Sequence, residues 1–179
     1  FDSDGIVITD LGSDDYARAS GVQSDGKIIV AGYSGSDNLD FALVRYLSDG
    51  TLDLSFDSDG IVTADFGGED NGRAVAIQGD GKLLVAGYAA GVNNDDFALV
   101  RYNSDGTPDL GFGSDGQTTT DFGGNDEGHA LAVQSDGKLV VAGYTSSGSD
   151  FALVRYNSDG SLDNTFDSDG KTTTNLGGN

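Results

Sequence analysis

The segment Gly79-Asp80-Gly81-Lys82-Leu83-Leu84-Val85-Ala86-Gly87-Tyr88 joins a tight turn to an apolar run. Asp-Gly before such a run is a strong hairpin signal, because glycine accepts the positive φ angles of the favoured turns. A second apolar run follows after a short loop, at residues 96–102. Both runs are apolar at consecutive positions, which predicts strands that are buried on both faces between stacked sheets.

The same pattern fills the chain as near-identical repeats of about 55 residues. The landmark Phe56-Asp57-Ser58-Asp59-Gly60 begins one repeat and returns, in whole or in large part, at residues 1, 112 and 166. Its spacing divides the chain into units 1–55, 56–111 and 112–165, and residues 166–179 begin a fourth. We expect these last residues to form one first strand that pairs with a neighbouring unit or closes a ring.

Each repeat is predicted to contain four short antiparallel strands. In the middle repeat they cover residues 61–66, 73–78, 82–88 and 96–102. Four strands per unit, with the third and fourth buried on both faces, are typical of a β-propeller blade. We therefore predict an all-β fold of tandem four-stranded antiparallel blades, with three repeats and one overhanging strand.

Three blades are fewer than the four to eight that close a propeller. Two chains completing a six-bladed ring, a longer array of blades, and a different closure such as a β-prism or β-trefoil all remain open at this point. The overhanging strand favours end-to-end assembly or a longer parent chain, because an unpaired sheet edge recruits a neighbour. The expected partners are therefore copies of this chain or further repeats.

Three sequence motifs resemble the bacterial delta-60 repeat family. They are Gln-Ser-Asp-Gly-Lys-Leu-Val-Val-Ala-Gly at residues 134–143, Phe-Ala-Leu-Val-Arg-Tyr at 151–156 and Asn-Ser-Asp-Gly-Ser-Leu-Asp at 157–163. The resemblance implies a β-propeller-like fold and a long secreted or surface-attached protein, and it implies no defined activity. This chain departs from the family where aspartate replaces the more usual glycine, which is kept at Gly113. The replaced positions are Asp2, Asp57 and Asp167.

The chain is strongly acidic, with 30 Asp and Glu against 9 Lys and Arg and a net charge of -21. Such a surface repels nucleic acid and anionic membranes. Of the acids, 28 are aspartate, a residue of turns and metal-binding loops rather than of helices. Cysteine is absent, so disulfides and thiolate sites are excluded, and no apolar run approaches the roughly 20 residues of a membrane helix. Because the sequence begins at Phe1, we expect a processed product or part of a longer chain.

Closely spaced carboxylates predict bound calcium, because Ca²⁺ takes six to eight oxygen ligands and glycine lets a loop turn round the ion. The best candidates combine the Asp-Ser-Asp-Gly loop with an upstream aspartate, as in Asp53 with Asp57 and Asp59. The same pattern gives Asp163 with Asp167 and Asp169, a weaker pair Asp109 with Asp115, and Asp2 with Asp4, whose upstream partner would come from a preceding unit.

Two other interpretations of the acids stay open. Aspartate before glycine also shapes hairpin turns without any ligand. The opposite end of each unit is acidic as well, and offers a second candidate region for metal. Its residues are Asp14, Asp15, Asp37, Asp40, Glu69, Asp70, Asp95, Asp96, Asp126, Glu127 and Asp150.

An enzymatic function is not expected. Catalysis needs one asymmetric cluster, whereas every candidate residue here belongs to a recurring set, and His129 takes a position that is arginine in the other repeats. The expected function is that of an extracellular structural repeat protein whose calcium-stabilised blades form a fibre or a surface or biofilm appendage. The alternative is an adhesin propeller that binds glycans or proteins, because the loops 34–39, 89–95 and 145–149 vary most between repeats.

Overall fold

The computed structural model describes residues 1, 4–91, 94–146 and 150–177. Over these residues the chain forms three four-stranded antiparallel sheets, which confirms the predicted all-β blades. The first sheet contains β1 (Asp15–Val22), β2 (Ile28–Ser34), β3 (Asp40–Tyr46) and β4 (Ile61–Ala64). The second contains β5 (Asn71–Ile77), β6 (Leu83–Ala90), β7 (Asp95–Tyr102) and β8 (Gln117–Thr120). The third contains β9 (Asp126–Val133), β10 (Leu139–Thr145), β11 (Asp150–Tyr156) and β12 (Lys171–Thr174).

The predicted Asp-Gly turns connect the first and second strands of each sheet. At the turn between β5 and β6, the Gln78 amide donates to the Lys82 carbonyl at 2.8 Å and the Gly81 amide donates to the Gln78 carbonyl at 2.9 Å. Gly81 has a φ of 86°, a left-handed conformation that glycine adopts without steric cost. The periodic placement of Asp-Gly therefore sets the hairpin register in every blade.

The hydrophobic core lies between neighbouring sheets. One cluster joins Phe41 and Leu43 of the first sheet to Leu83 and Val85 of the second, and a second cluster repeats this packing between the second and third sheets. The strands β6 and β7 of the middle sheet are almost wholly buried, as their consecutive apolar residues predicted. We call each sheet-to-sheet contact a joint: the first joint lies between the first and second sheets, and the second joint between the second and third.

The sheets are out of phase with the predicted units, because the strand that opens each sequence repeat completes the preceding sheet. Residues 61–64 form β4 beside β3, and not the first strand of the second blade. The reason is the loop between β3 and β4, which folds back along β3: the Asp53 amide donates to the Arg45 carbonyl and the Arg45 amide to the Gly60 carbonyl. Phe56, buried in this loop, holds the fold-back in place.

The prediction for residues 166–179 is corrected for the same reason. Lys171–Thr174 pairs with β11 of its own sheet, in register from Phe151↔Thr174 to Val154↔Lys171, and needs no neighbouring unit and no ring closure. A sequence period shows the length of a unit but is equally consistent with any starting point, so the phase became visible only in the strand pairing.

The N-terminal segment before β1 forms no strand in its described part, residues 4–14. It nevertheless packs on the first sheet as the fourth strand of a preceding blade would. The Tyr46 hydroxyl donates to the Thr9 hydroxyl at 2.6 Å, and the equivalent hydroxyl pair Thr120 and Tyr156 lies at 2.7 Å across the second joint. No helix of the described residues has the length and hydropathy to cross a membrane.

Candidate functional site

The upstream aspartates of the predicted calcium loops lie in buried ion pairs. The carboxylate of Asp53 accepts hydrogen bonds from Arg45 Nε at 2.7 Å and from the Ser55 hydroxyl at 2.6 Å, and Lys27 Nζ lies 3.1 Å away. Arg45 thus pairs with an aspartate of the loop that follows its own strand, and it reaches the next blade by donating to the Ser104 carbonyl. The same arrangement recurs around Asp109, with Lys82 and Arg101, and around Asp163, with Lys138 and Arg155.

These lysine and arginine side chains compensate the negative charge of the aspartate carboxylates. Burial raises the pKa of Asp53, but the hydrogen bonds from Ser55 and Lys27 and the charge of Arg45 outweigh it and hold that pKa well below its usual range. The Lys82 hydrogen bond likewise lowers the pKa of Asp109. These aspartates are therefore structural anions that neutralise their own lysine and arginine, and the charge that would attract a metal is already balanced.

The downstream aspartates of the same loops lie on exposed turns. Asp59 Oδ1 accepts a hydrogen bond from the Ile61 amide at 2.9 Å, and the equivalent bonds recur at Asp4 and at Asp169. Asp57 and Asp167 have φ angles of 44° and 47°, which explains why glycine serves at this position in the third repeat, as Gly113 with φ 55°. Asp115, two positions after Gly113, also has a left-handed φ of 55°.

The structure does not gather these loop acids into a ligand set. Among the described residues, Asp53, Asp57 and Asp59 do not form a group whose carboxylate oxygens all lie within 4.8 Å, and neither do Asp163, Asp167 and Asp169. Asp2 lies outside the described residues. Calcium in these loops stays a prediction from the sequence, while the described geometry is that of hydrogen-bonded turns.

The carboxylate clusters of the described residues lie at the opposite end of the blades, at the two joints. At the first joint, Asp40, Asp65 and Asp70 each place an oxygen within 4.8 Å of the others. At the second joint, Asp96, Asp121 and Asp126 do the same. We call these two groups the first and the second acidic triad. Each triad can hold a metal ion, and its members are all oxygen donors of the kind that hard divalent cations bind.

Each triad takes its aspartates from three elements that the fold brings together. In the second triad, Asp96 lies near the beginning of β7, Asp121 directly follows β8, and Asp126 begins β9 of the next sheet. The antiparallel order places the beginning of β7 and the end of β8 at the same edge, because Phe97 pairs with Thr120. An ion held by the triad would therefore connect two neighbouring blades.

Burial and mutual repulsion strain the charged form of the triads. Burial, followed by the charges of Asp65 and Asp40, raises the pKa of Asp70 to about 6, although main-chain hydrogen bonds from Phe66 and Ala90 oppose the rise. Burial and the charge of Asp65 also raise the pKa of Asp40. At the second triad the pKa of Asp96 is raised by burial and then by the charges of Asp121 and Asp126. A bound cation would therefore stabilise the charged form of the triad carboxylates.

The third sheet has an asparagine at a position where the first two sheets have an aspartate of the triad. In the third sheet Asp150 corresponds to Asp96, but Asn175 stands where the other sheets have Asp65 and Asp121. Asn175 Oδ1 accepts a hydrogen bond from the Gly177 amide at 2.6 Å, the same turn that Asp65 makes with Gly67. The local turn thus forms with asparagine as well as with aspartate, so the turn alone does not require the negative charge at Asp65 and Asp121.

The recurring basic position on the innermost strands is a β-bulge. The register of β5 and β6 pairs Gly72 with Gly87 and Ala74 with Ala86, which leaves Arg73 unpaired. Its guanidinium lies 5.2 Å from the Tyr88 ring centre, and the His129 ring stacks on Tyr144 at 5.6 Å. Both a guanidinium and an imidazole stack on the tyrosine at this position, which explains how histidine can replace arginine.

The tyrosines at the ends of the third strands pack in the blades. Tyr46, Tyr102 and Tyr156 are 9%, 1% and 1% exposed, so they offer no open platform for stacking a sugar. Tyr144 on the second strand is 38% exposed and donates to Glu127 at 2.5 Å. Tyr102 and Tyr156 belong to the two core clusters that join neighbouring sheets.

These observations define the class of protein: a β-propeller-type tandem repeat protein with acidic joints between its blades. The chain belongs to the DUF5122 beta-propeller family, a domain of unknown function, whose pattern matches residues 23–56, 78–112 and 134–166, more than half of the chain. Each match covers the second and third strands and the loop that follows, as far as Phe56, Phe112 or Phe166. Comparison with curated proteins gives no match. The resemblance to delta-60 repeats is thus supported as far as a β-propeller repeat.

Proposed function

We propose that this chain is a non-catalytic structural repeat module of an extracellular protein, in which calcium-stabilised blades assemble through one kind of joint into a fibre or surface appendage. The observation that carries the proposal is the equivalence of the two joints. Phe41 at the first and Phe97 at the second are fully buried against the next blade, each beside the phenylalanine that follows the fourth strand, at 5.2 and 5.1 Å between ring centres.

The third sheet offers the same surface without a blade against it in this chain. Phe151, the equivalent of Phe97, is 62% exposed, and Leu176, the equivalent of Phe122, is 76% exposed. A further blade docked here would bury both side chains as in the two joints already formed. That blade comes from a second copy of the chain or from further repeats, and in either case identical units propagate identical contacts.

A structural function also agrees with the electrostatics. The cations of the loops neutralise buried aspartates of their own blade, while the acids at the joints have no matching lysine or arginine in the described ion pairs, apart from the Glu127 contacts with Arg73 and His129. A high extracellular calcium concentration would relieve this repulsion, which is why the proposal places the protein outside the cell. The adhesin alternative has no described contact in its favour beyond the variable loops.

Assembly of the purified 179-residue chain tests the proposal. We expect sedimentation velocity and negative-stain electron microscopy in calcium to show linear oligomers that grow with concentration. Phe151→Asp should abolish these oligomers without unfolding the chain, because Phe151 is exposed in the single chain. The matched control Leu110→Asp should leave the oligomers intact, since Leu110 is 72% exposed in a loop and its counterpart in the third repeat is Asn164. A monomer at every concentration, or equal assembly of Phe151→Asp, would refute assembly through this face.

A further inference from the structure

The second acidic triad contains a buried carboxylate oxygen that has no donor. Asp126 is fully buried; its Oδ2 accepts a hydrogen bond from the Phe122 amide at 2.6 Å, and its Oδ1 has no hydrogen-bond partner among the described residues. Burial of a carboxylate oxygen without a partner is costly, so native structures supply one. Asp126, which carries this oxygen, belongs to the group in which each of three aspartates places a carboxylate oxygen within 4.8 Å of the others.

The equivalent aspartates of the other blades show that the missing donor is specific to this position. Asp15 Oδ1 accepts a hydrogen bond from the Ser34 hydroxyl at 2.6 Å, and Asp70 Oδ1 accepts one from the Ala90 amide at 3.2 Å. Both also accept an amide bond at Oδ2, like Asp126. Of these three homologous aspartates, only Asp126 has a buried oxygen without a hydrogen-bond donor among the described residues.

Protein cations do not fill the gap. None of the ion pairs among the described residues involves Asp96, Asp121 or Asp126. The lysine that comes near, Lys171, donates to the main-chain carbonyl of Asp121 at 2.9 Å and lies over the Phe122 ring. Asn94 Nδ2 donates to Asp96 Oδ1 at 3.0 Å and to the Gly124 carbonyl at 2.6 Å, which fixes Asp96 beside the loop that carries Asp126.

We infer that the second joint is a binding site for a hard divalent cation, Ca²⁺, held by the carboxylates of Asp96, Asp121 and Asp126. With Ca–O distances of about 2.3 to 2.6 Å, two ligands of one ion lie at most about 5 Å apart, so oxygens within 4.8 Å can share it. Water completes the shell on the side of Asp121, whose side chain is exposed. Three carboxylates and no nitrogen or sulfur ligand favour a hard cation such as calcium over zinc or copper.

This inference rests on the proposed function in assigning the ion to a structural joint, but it concerns a site inside a single chain. Calcium binding can therefore be measured whether or not the chain assembles. The first acidic triad has the same composition with Asp70 Oδ1 already bonded, so it is the weaker candidate, and its contribution must be removed in the test.

The experiment is isothermal titration with Ca²⁺ alone into chelator-stripped chain carrying Asp65→Asn, which takes one carboxylate out of the first triad. We expect one Ca²⁺ per chain, and at least a tenfold loss of affinity when Asp121→Asn is added. Asn175 shows that asparagine keeps the turn at this position, so the double variant should fold, which circular dichroism verifies. Asp136→Asn is the matched control, because Asp136 is an exposed turn acid outside both triads and should leave affinity unchanged.

Two results would overturn the site. No calcium uptake by the Asp65→Asn chain would do so, and so would equal affinity with and without Asp121→Asn. A second variant, Asp96→Asn, removes a carboxylate from a different element and should reproduce the loss. Filament formation without calcium uptake would leave the proposed assembly through the joints standing, but it would remove both the inferred site and the calcium stabilisation. Calcium uptake by a strict monomer would keep the inferred site and remove the proposed assembly.

Discussion

The hydroxyl of Tyr102 is buried at the first joint without a hydrogen-bond partner among the described residues, and Ala64→Thr should supply one. Thr120 occupies the equivalent position at the second joint and bonds the Tyr156 hydroxyl at 2.7 Å. Ala64 is 6% exposed and Thr120 5%, so both face the next blade from the last residue of the fourth strand. The repeat itself therefore shows that threonine fits this contact.

The expected gain is about 1 kcal/mol in the free energy of unfolding. A net hydrogen bond contributes about 0.5 to 1.5 kcal/mol, and the relief of a buried unsatisfied hydroxyl places the value toward the upper part of that range. Threonine also suits a strand better than alanine does, which adds a few tenths of a kcal/mol. For a chain of this size the melting temperature should rise by about 2 to 4 °C.

Urea unfolding followed by circular dichroism measures the change, with calcium held constant. Ala64→Val is the control, because valine adds the same volume without a hydroxyl and should gain less. Tyr102→Phe should be neutral or stabilising in the parent chain, yet should cancel the gain in the Ala64→Thr background. If valine and threonine stabilise equally, or if Tyr102→Phe leaves the gain intact, the hydrogen-bond explanation is wrong.

Three further predictions concern the acids. Without a bound cation the pKa of Asp70 is raised to about 6, so the stabilisation by its protonated form is complete below pH 4 and is lost as the pH rises through 6. In excess chelator, the free energy of unfolding of the parent chain should therefore fall by up to about 3 kcal/mol between pH 4 and 7, relative to that of Asp70→Asn. A difference in urea midpoints that does not change with pH would contradict this. Asp109→Asn should destabilise the chain by about 3 kcal/mol, because it leaves Arg101 and Lys82 without their anion in a largely buried contact. A loss below about 0.5 kcal/mol, as is typical of an exposed ion pair, would argue against that burial. Asp57→Gly should leave calcium affinity unchanged and alter stability by less than about 1 kcal/mol, because glycine accepts the left-handed φ of this turn; a loss of calcium binding would instead restore the loop site predicted from the sequence.

The sequence was sufficient for the fold class because its signals are local. Asp80-Gly81 specifies a turn, and the runs that follow it are apolar at every position, so stacked sheets are the arrangement that buries them. The phase of the blades was not accessible, because residues 61–64 are closer in sequence to β5, which begins at Asn71, than to β3, which ends at Tyr46 and with which they pair. Their pairing depends on the fold-back of the preceding loop, which buries Phe56 under the Arg45 guanidinium at 4.4 Å.

The acidic sites were likewise only partly predictable from the sequence. The sequence placed aspartates at both ends of each blade but favoured the loops of Asp53, where the acids are close in sequence. In the structure Arg45 and Lys27 neutralise that carboxylate, and neither cation is adjacent to it in the chain. The triad of Asp96, Asp121 and Asp126 spans 31 positions and two sheets. The available signal was the change from Asp65 and Asp121 to Asn175, which marks a charge that the turn does not need.

A thermal melt of the parent chain in 1 mM free calcium and in excess EDTA tests the claim of a cation-stabilised joint most directly. If the joint binds calcium with a dissociation constant near 10 µM, saturation contributes about 2.7 kcal/mol. The account then predicts a melting temperature about 5 to 10 °C lower in EDTA, and a much smaller difference for the Asp65→Asn, Asp121→Asn double variant. Identical melts of the parent chain in calcium and in EDTA would contradict it.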